Sequence, residues 1–138
     1  VAALGHLGSL AAAKGLTKQP AVLGFCLGGT LAWGVAAHAE PSCCVSYYGS
    51  GVSGMLGVIE LVRCSVLFHF GDADPYIPSD AVASIGVAIE GREGFELNVE
   101  SAGHAFDNHE APMFYNERPA AAAWGKTMAF LGKHAPVG

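Results

Sequence analysis

The 138 residues carry a formal net charge of −5, with 51% hydrophobic and only 14% charged side chains. That balance suits one small folded domain with a single core and argues against disorder. With no lysine or arginine cluster to neutralise phosphates, the composition also argues against nucleic acid and anionic membranes as partners, and no apolar run approaches the ~20 residues of a membrane span.

In chain order, Val1 to about Lys14 is rich in Ala, Leu and Gly. Leu4, Leu7 and Leu10 stand at helical spacing and Gly15 is placed to end the helix. The start, Val1-Ala2-Ala3-Leu4, has neither a basic flank nor an initiating Met, and reads as part of something longer. Thr17-Lys18-Gln19-Pro20 is a loop, Ala21 to Phe25 a buried strand, and Leu27 to His38 a helix. Cys43 to Tyr48 is a second apolar strand ending in Gly49-Ser50-Gly51, and a short helix-like piece runs from Met55 to Leu61. Ser65 to Phe70 is a third strand. Ser79 and Asp80 are placed to cap a helix reaching about Glu90, and Phe95 to Val99 is a fourth strand. A last helix fits Pro119 to His134, with Trp124, Met128 and Leu131 on an apolar stripe. Apolar strands separated by helices predict an α/β domain, residues 1–138, with about four mainly parallel strands covered on both faces.

Between the first strand and its helix lies Gly24-Phe25-Cys26-Leu27-Gly28-Gly29. A G-x-C-x-G turn in that context fits a nucleophile elbow, whose flanking glycines let neighbouring backbone approach. Cys26 would sit just ahead of a helix N-terminus, whose partial positive charge favours the thiolate, and the Leu27 N–H would face a developing oxyanion. The same six residues also suit a buried structural cysteine in a glycine-rich turn. The other strand ends favour the first reading. In open parallel sheets reactive groups collect beyond the carboxyl ends of the strands. The third strand ends in Gly71-Asp72-Ala73-Asp74-Pro75 and the fourth in Ser101-Ala102-Gly103-His104-Ala105-Phe106. The order nucleophile, acid, histidine is that of an α/β-hydrolase triad.

Together, Gly24-Phe25-Cys26-Leu27-Gly28-Gly29, Tyr47-Tyr48-Gly49, Gly71-Asp72-x-Asp74-x-x-Ile77-Pro78 and Gly103-His104-x-Phe106 resemble dienelactone hydrolase, of the α/β-hydrolase fold. The resemblance runs from about Ala21 to Phe130 and extends to Tyr115-Asn116 and Trp124. It implies that Cys26 is the nucleophile, His104 its base and Asp74, rather than Asp72, the carboxylate that holds the imidazole. Leu27 would supply an oxyanion N–H, with Tyr48 and Phe106 at the substrate. A domain of that family also has a half that precedes the elbow, carrying the first strands, a second oxyanion N–H, a glutamate near the thiol and an arginine for the substrate carboxylate. Its dienelactone-specific members place an arginine four residues after the histidine, where this chain has Asn108. A partial α/β-hydrolase fold acting on a small carboxylic ester or lactone without a cofactor is therefore the leading expectation. The rival is a weak or silent module that associates with itself or with a separate N-terminal half.

Other clusters carry less. His104, Asp107, His109 and Glu110 lie close together but fit no metal-ligand spacing, so no metal site is expected. His69 within an apolar strand reads as a core or sheet-face histidine. Cys43, Cys44 and Cys64 read as small buried hydrophobes, and four cysteines are too few for a disulfide scaffold, which points to a reducing cytoplasm. Without neighbours on both sides, the Ala21 to Phe25 strand becomes an apolar sheet edge, so a homodimer or higher homo-oligomer is expected.

Overall fold

The computed structural model describes residues 1–16 and 18–136; Thr17, expected in the first loop, lies outside the described residues. Helices and strands alternate as α1 (Ala2–Ala13), β1 (Val22–Phe25), α2 (Leu27–Ala39), β2 (Cys43–Tyr47), a 3-10 segment (Ser53–Leu61), β3 (Ser65–Gly71), α3 (Ser79–Ile89), β4 (Phe95–Glu100) and α4 (Glu117–His134). The four strands form one sheet in the order β1-β2-β3-β4, and every pairing is parallel. This is a partial α/β-hydrolase fold.

Consecutive strand residues face opposite sides of the sheet, and the two sides take different partners. On one side Ser46 donates from Oγ to the Gly29 carbonyl of α2 at 2.9 Å, and Trp33 of α2 meets Phe68 and Phe95 edge-on at 5.4 and 6.5 Å. Trp33 is fully buried, and its indole N–H is satisfied by the Met55 carbonyl at 3.1 Å. In α3, Val82, Ile85 and Ile89 supply the buried helical stripe.

The other side holds a polar row. Phe25, Tyr47, His69 and Asn98 are register partners across all four strands, and α4 packs on the strands of the last three. Asn98 Nδ2 lies 2.9 Å from His69 Nδ1, so Nδ1 is the acceptor. Nε2 then carries the hydrogen and donates to Thr127 Oγ1 at 2.9 Å. The Tyr47 hydroxyl reaches the same Thr127 Oγ1 at 2.7 Å, and Lys126 donates to Asn98 and pairs with Glu100. Burial opposes ionisation of Glu100, but hydrogen bonds from Asn98 and Lys126 outweigh it and hold the carboxyl below its usual range.

This row corrects the expected face of the last helix. The buried positions are Ala120, Ala123, Thr127 and Phe130, whereas Trp124 and Met128 are exposed. The sheet beneath offers hydroxyl and imidazole groups that a threonine can satisfy, and the alanines allow the helix to sit close. A second correction concerns α3. Its N-cap is Pro78 with no side-chain cap, and Asp80 lies in the first turn, where its charge complements the helix dipole. The first helix, α1, has no buried residue.

His69 is fully enclosed. Burial first, then the Lys126 charge, push its imidazole from 6.5 down to about 4, with Glu100 partly opposing. The folded state therefore binds fewer protons than the unfolded chain between those values. The stabilisation is complete above the unfolded value and is lost as pH falls toward 4, by at most on the order of 3 kcal/mol. Urea denaturation from pH 7.5 to 4.5 should show this loss, and His69→Gln should flatten it over the same window. Parallel pH curves for the two proteins would remove His69 from the account.

Candidate active site

Only one residue separates β1 from α2. Cys26 makes the connection at φ 55° and ψ −119°, a conformation that side chains rarely adopt. The turn closes this tightly because Gly24 has no side chain: a Cβ there would stand 1.9 Å from the Gly28 carbonyl oxygen. A Cβ on Gly49 would stand 2.8 Å from the Thr30 amide nitrogen, so the end of β2 also needs glycine to pass the first turn of α2. The Cys26 amide donates to the Tyr47 carbonyl at 3.0 Å, which carries the β1–β2 ladder one residue into the turn. As the first residue of α2, Leu27 has an amide N–H with no carbonyl one turn back to receive it, while its side chain points to solvent.

His104 lies 78 residues further along, and the fold brings its Nε2 to 3.2 Å from Cys26 Sγ. Its Nδ1 is 2.7 Å from Asp74 Oδ2. The Asp74 side chain is wholly enclosed, and its other oxygen accepts the Tyr76 amide at 2.8 Å, which leaves the carboxylate oriented on both sides. A thiol, an imidazole and a carboxylate are thus linked in series, an arrangement in which a base can take the thiol proton while a fixed anion holds its tautomer.

Tyr48 and Phe106 both reach this region and both are buried. The Tyr48 ring lies 5.2 Å from the imidazole and 5.4 Å from the Phe106 ring, so Tyr48 backs the histidine and Phe106 packs against Tyr48. Tyr48 (φ 37°) and Ala105 (φ 54°), the residue after the histidine, share with Cys26 the left-handed region. Burial first, then the Asp107 charge, push the Tyr48 hydroxyl above its ordinary range.

The cluster considered for a metal is not arranged as a cage. His104 is engaged by Cys26 and Asp74, and among the described residues no group of three or more His, Cys, Asp or Glu stands in position to hold an ion.

Several neighbours escaped the sequence reading. Tyr76, exposed, meets His104 edge-on at 5.1 Å. A cleft of about 290 Å³ opens beside the imidazole between Pro75 and Gly103 on one wall and Met113, Phe114, Tyr115 and Asn116 on the other. Tyr76 follows Asp74 by two residues, within the turn its carboxylate closes, and that spacing was the available signal. The resemblance reached Tyr115-Asn116 without giving them a role, and only the packing of the segment before α4 brings the 113–116 loop to the site.

A model of the dienelactone hydrolase family matches residues 3–135. Among curated proteins, a carboxymethylenebutenolidase of a Pseudomonas species is 36% identical over 118 residues, covering 86% of this chain and 49% of that protein. Carboxymethylenebutenolidase 1 of Cupriavidus pinatubonensis is 29% identical over 111 residues, 80% of this chain and 47% of that protein. The chain spans about half the length of the curated relatives it matches. Among solved structures, an alpha/beta hydrolase enzyme from a Medee basin deep-sea metagenome library superposes with a TM-score of 0.71 at 16% identity, over 95% of this chain and 61% of that one. Thermogutta terrifontis esterase 2 superposes with a TM-score of 0.74 at 16% identity, over 97% and 61%. These two share the fold.

The four thiols differ sharply in setting. Cys26 is exposed beside an imidazole and a helix N-terminus. Burial pushes Cys43 up and Cys44 well up, and carries Cys64 to about 11. Iodoacetamide near neutral pH should therefore alkylate Cys26 at least about tenfold faster than the other three, and His104→Ala should slow that reaction. Peptide mapping checks both; equal labelling of all four thiols would dissolve the distinction.

Proposed function

The chain belongs to the dienelactone hydrolase family, and from that membership we propose that it carries the catalytic machinery of a cysteine-dependent hydrolase acting on a small carboxylic ester or lactone. The observation that carries this reading is the unbroken series from Cys26 Sγ through His104 to Asp74, at 3.2 and 2.7 Å.

His104 takes the thiol proton, and the Cys26 thiolate attacks the ester carbonyl. The tetrahedral oxyanion that forms is stabilised by the Leu27 N–H at the positive end of α2. As the carbon–oxygen bond breaks, the imidazolium returns its proton to the leaving alcohol oxygen, leaving a thioester on Cys26. Water, deprotonated by the same imidazole, then attacks the thioester and releases the acid. Asp74 holds the imidazole tautomer and balances its positive charge in both halves of the cycle. Tyr48 backs the ring, with Phe106 packed against Tyr48, and the cleft lined by Met113, Phe114 and Tyr115 gives the apolar part of the substrate a place beside the base. The steps call on no cofactor. Four unpaired cysteines suit a reducing cytoplasmic setting, and no helix among the described residues is long and apolar enough to cross a membrane.

A second reading has its own observation. Among the described residues strand β1 pairs with β2 alone, leaving its outer edge open, and Leu27 and Leu31 of α2 are exposed, as are Leu7 and Leu10 of α1. Open backbone donors and acceptors beside apolar surface favour association, either as a homodimer or higher homo-oligomer or with a polypeptide that supplies further strands. A module completed in this way would be weak alone, since one missing oxyanion donor costs about 10²–10³ in rate.

Hydrolysis of p-nitrophenyl acetate, measured with and without a polypeptide matching the N-terminal half of the relatives, tests both readings. Turnover should rise on addition and vanish in Cys26→Ala, and Asp74→Asn should lower it more than Asp72→Asn. Equal, substantial turnover in both conditions would retire the completion reading. Turnover that survives Cys26→Ala would retire the nucleophile. Light scattering at micromolar concentration should find the chain alone in assemblies larger than a monomer.

A further inference from the structure

We propose that Asp72, the second carboxylate beyond β3, is a positioning residue that holds the His104 loop in place for Asp74 and Cys26. The proposal rests on the triad reading above.

The backbone beyond β4 turns sharply before reaching the histidine. The Ala102 amide donates back to the Glu100 carbonyl at 2.9 Å, and Ala105, immediately after His104, lies at φ 54°. Strained backbone of this kind persists only when its surroundings over-determine it. Asp72 supplies much of that determination. Its amide donates to the Glu100 carbonyl at 2.9 Å, its Oδ2 accepts the Ser101 hydroxyl at 3.1 Å, and its Oδ1 accepts the Ala102 amide at 3.2 Å. The next residue, Ala73, donates its amide to the Ala102 carbonyl at 3.0 Å.

The two segments touch because Gly71 permits it. A Cβ on Gly71 would stand 2.2 Å from the Ala102 oxygen and 2.8 Å from the Gly103 oxygen. The chain leaving β3 therefore grips the chain leaving β4 twice. Asp72 takes residues 101 and 102, and Asp74, two positions on, takes the imidazole of residue 104. Both oxygens of Asp72 are spent on the loop, which separates its role from that of the carboxylate on the imidazole. The Asp72 side chain is solvent-exposed, so its bonds stabilise the fold little. Their effect falls on where His104 sits, and small displacements of a base relative to its nucleophile are costly to reactivity.

Asparagine can keep both contacts, its oxygen accepting the Ala102 amide and its nitrogen donating to the Ser101 hydroxyl, whereas alanine can keep neither. Iodoacetamide alkylation of Cys26 in the full chain, followed by peptide mapping across pH, reads the position of the base without requiring turnover. Asp72→Ala should slow alkylation at neutral pH by about tenfold and shift its pH profile toward that of His104→Ala. Asp72→Asn should stay within about twofold of the parent. Amide hydrogen exchange at Ala102 and Gly103 should accelerate in the alanine variant alone. A parental profile in Asp72→Ala, or equal losses in the alanine and asparagine variants, would overturn the proposal. If instead His104→Ala leaves alkylation unchanged, the triad reading itself fails. Unaltered exchange at Ala102 in Asp72→Ala would overturn the positioning role as well.

Discussion

The Gly28 carbonyl oxygen occupies the space where a side chain on Gly24 would begin, and the rest of the site depends on that contact. It lets the chain pass from strand to helix through a single residue, and the residue so used is driven into the left-handed region at φ 55°. A thiol held this way cannot turn aside into the core. Its own amide is tied to the Tyr47 carbonyl, and its helix begins at once behind it. The conformational cost, of order 1–3 kcal/mol for such a residue, is offset by the packing of α2 on β1 and β2 through Trp33, Ala32 and Ala36. Rigidity at this point is what gives the distance from Cys26 to His104 meaning, because only the histidine loop is left to be placed.

Pleating divides labour between adjacent residues at the strand ends. Tyr47, His69 and Asn98 stand in one register row beneath α4, while Cys26 and Tyr48, one position beyond the ends of β1 and β2, lie at the candidate site. The row is polar and buried, yet its hydrogen bonds run from Asn98 through His69 to Thr127 and Tyr47. A satisfied buried network of this kind specifies one arrangement of helix on sheet, since any slip would orphan an imidazole or a hydroxyl in a low-dielectric interior. It therefore fixes the last helix, and with it the 113–116 loop that walls the cleft beside the imidazole.

The sheet ends in two edge strands, β1 and β4. Among the described residues β1 pairs with β2 alone, and its open edge leads directly into Cys26. Exposed Leu27 and Leu31 continue that surface along α2. The free amide at the start of α2 and the open edge of β1 thus lie within a few residues of each other.

Local patterns in the sequence were enough to read four strands, the helices between them and the parallel α/β class, with boundaries within about two residues. They also marked Cys26, the loop carrying Asp72 and Asp74, and His104, because each lies at a strand end where glycine, proline or a small residue announces a demand of the backbone itself; the choice of Asp74 came from the family resemblance. What the local pattern could not carry depended on contacts between distant segments. The apolar stripe expected through Trp124 and Met128 yields to Ala120, Ala123 and Thr127, because what a helix buries is set by the surface it meets, here a row containing His69 and Tyr47. Tyr48 and Phe106 were legible as residues near the site, but only packing buried them, Tyr48 against the imidazole and Phe106 against Tyr48. Asp72 and Asp74 differ by two positions in one loop, and no periodicity distinguishes them. The parallel register of β3 with β4 does, since it delivers Ser101 and Ala102 to the first carboxylate and His104 to the second.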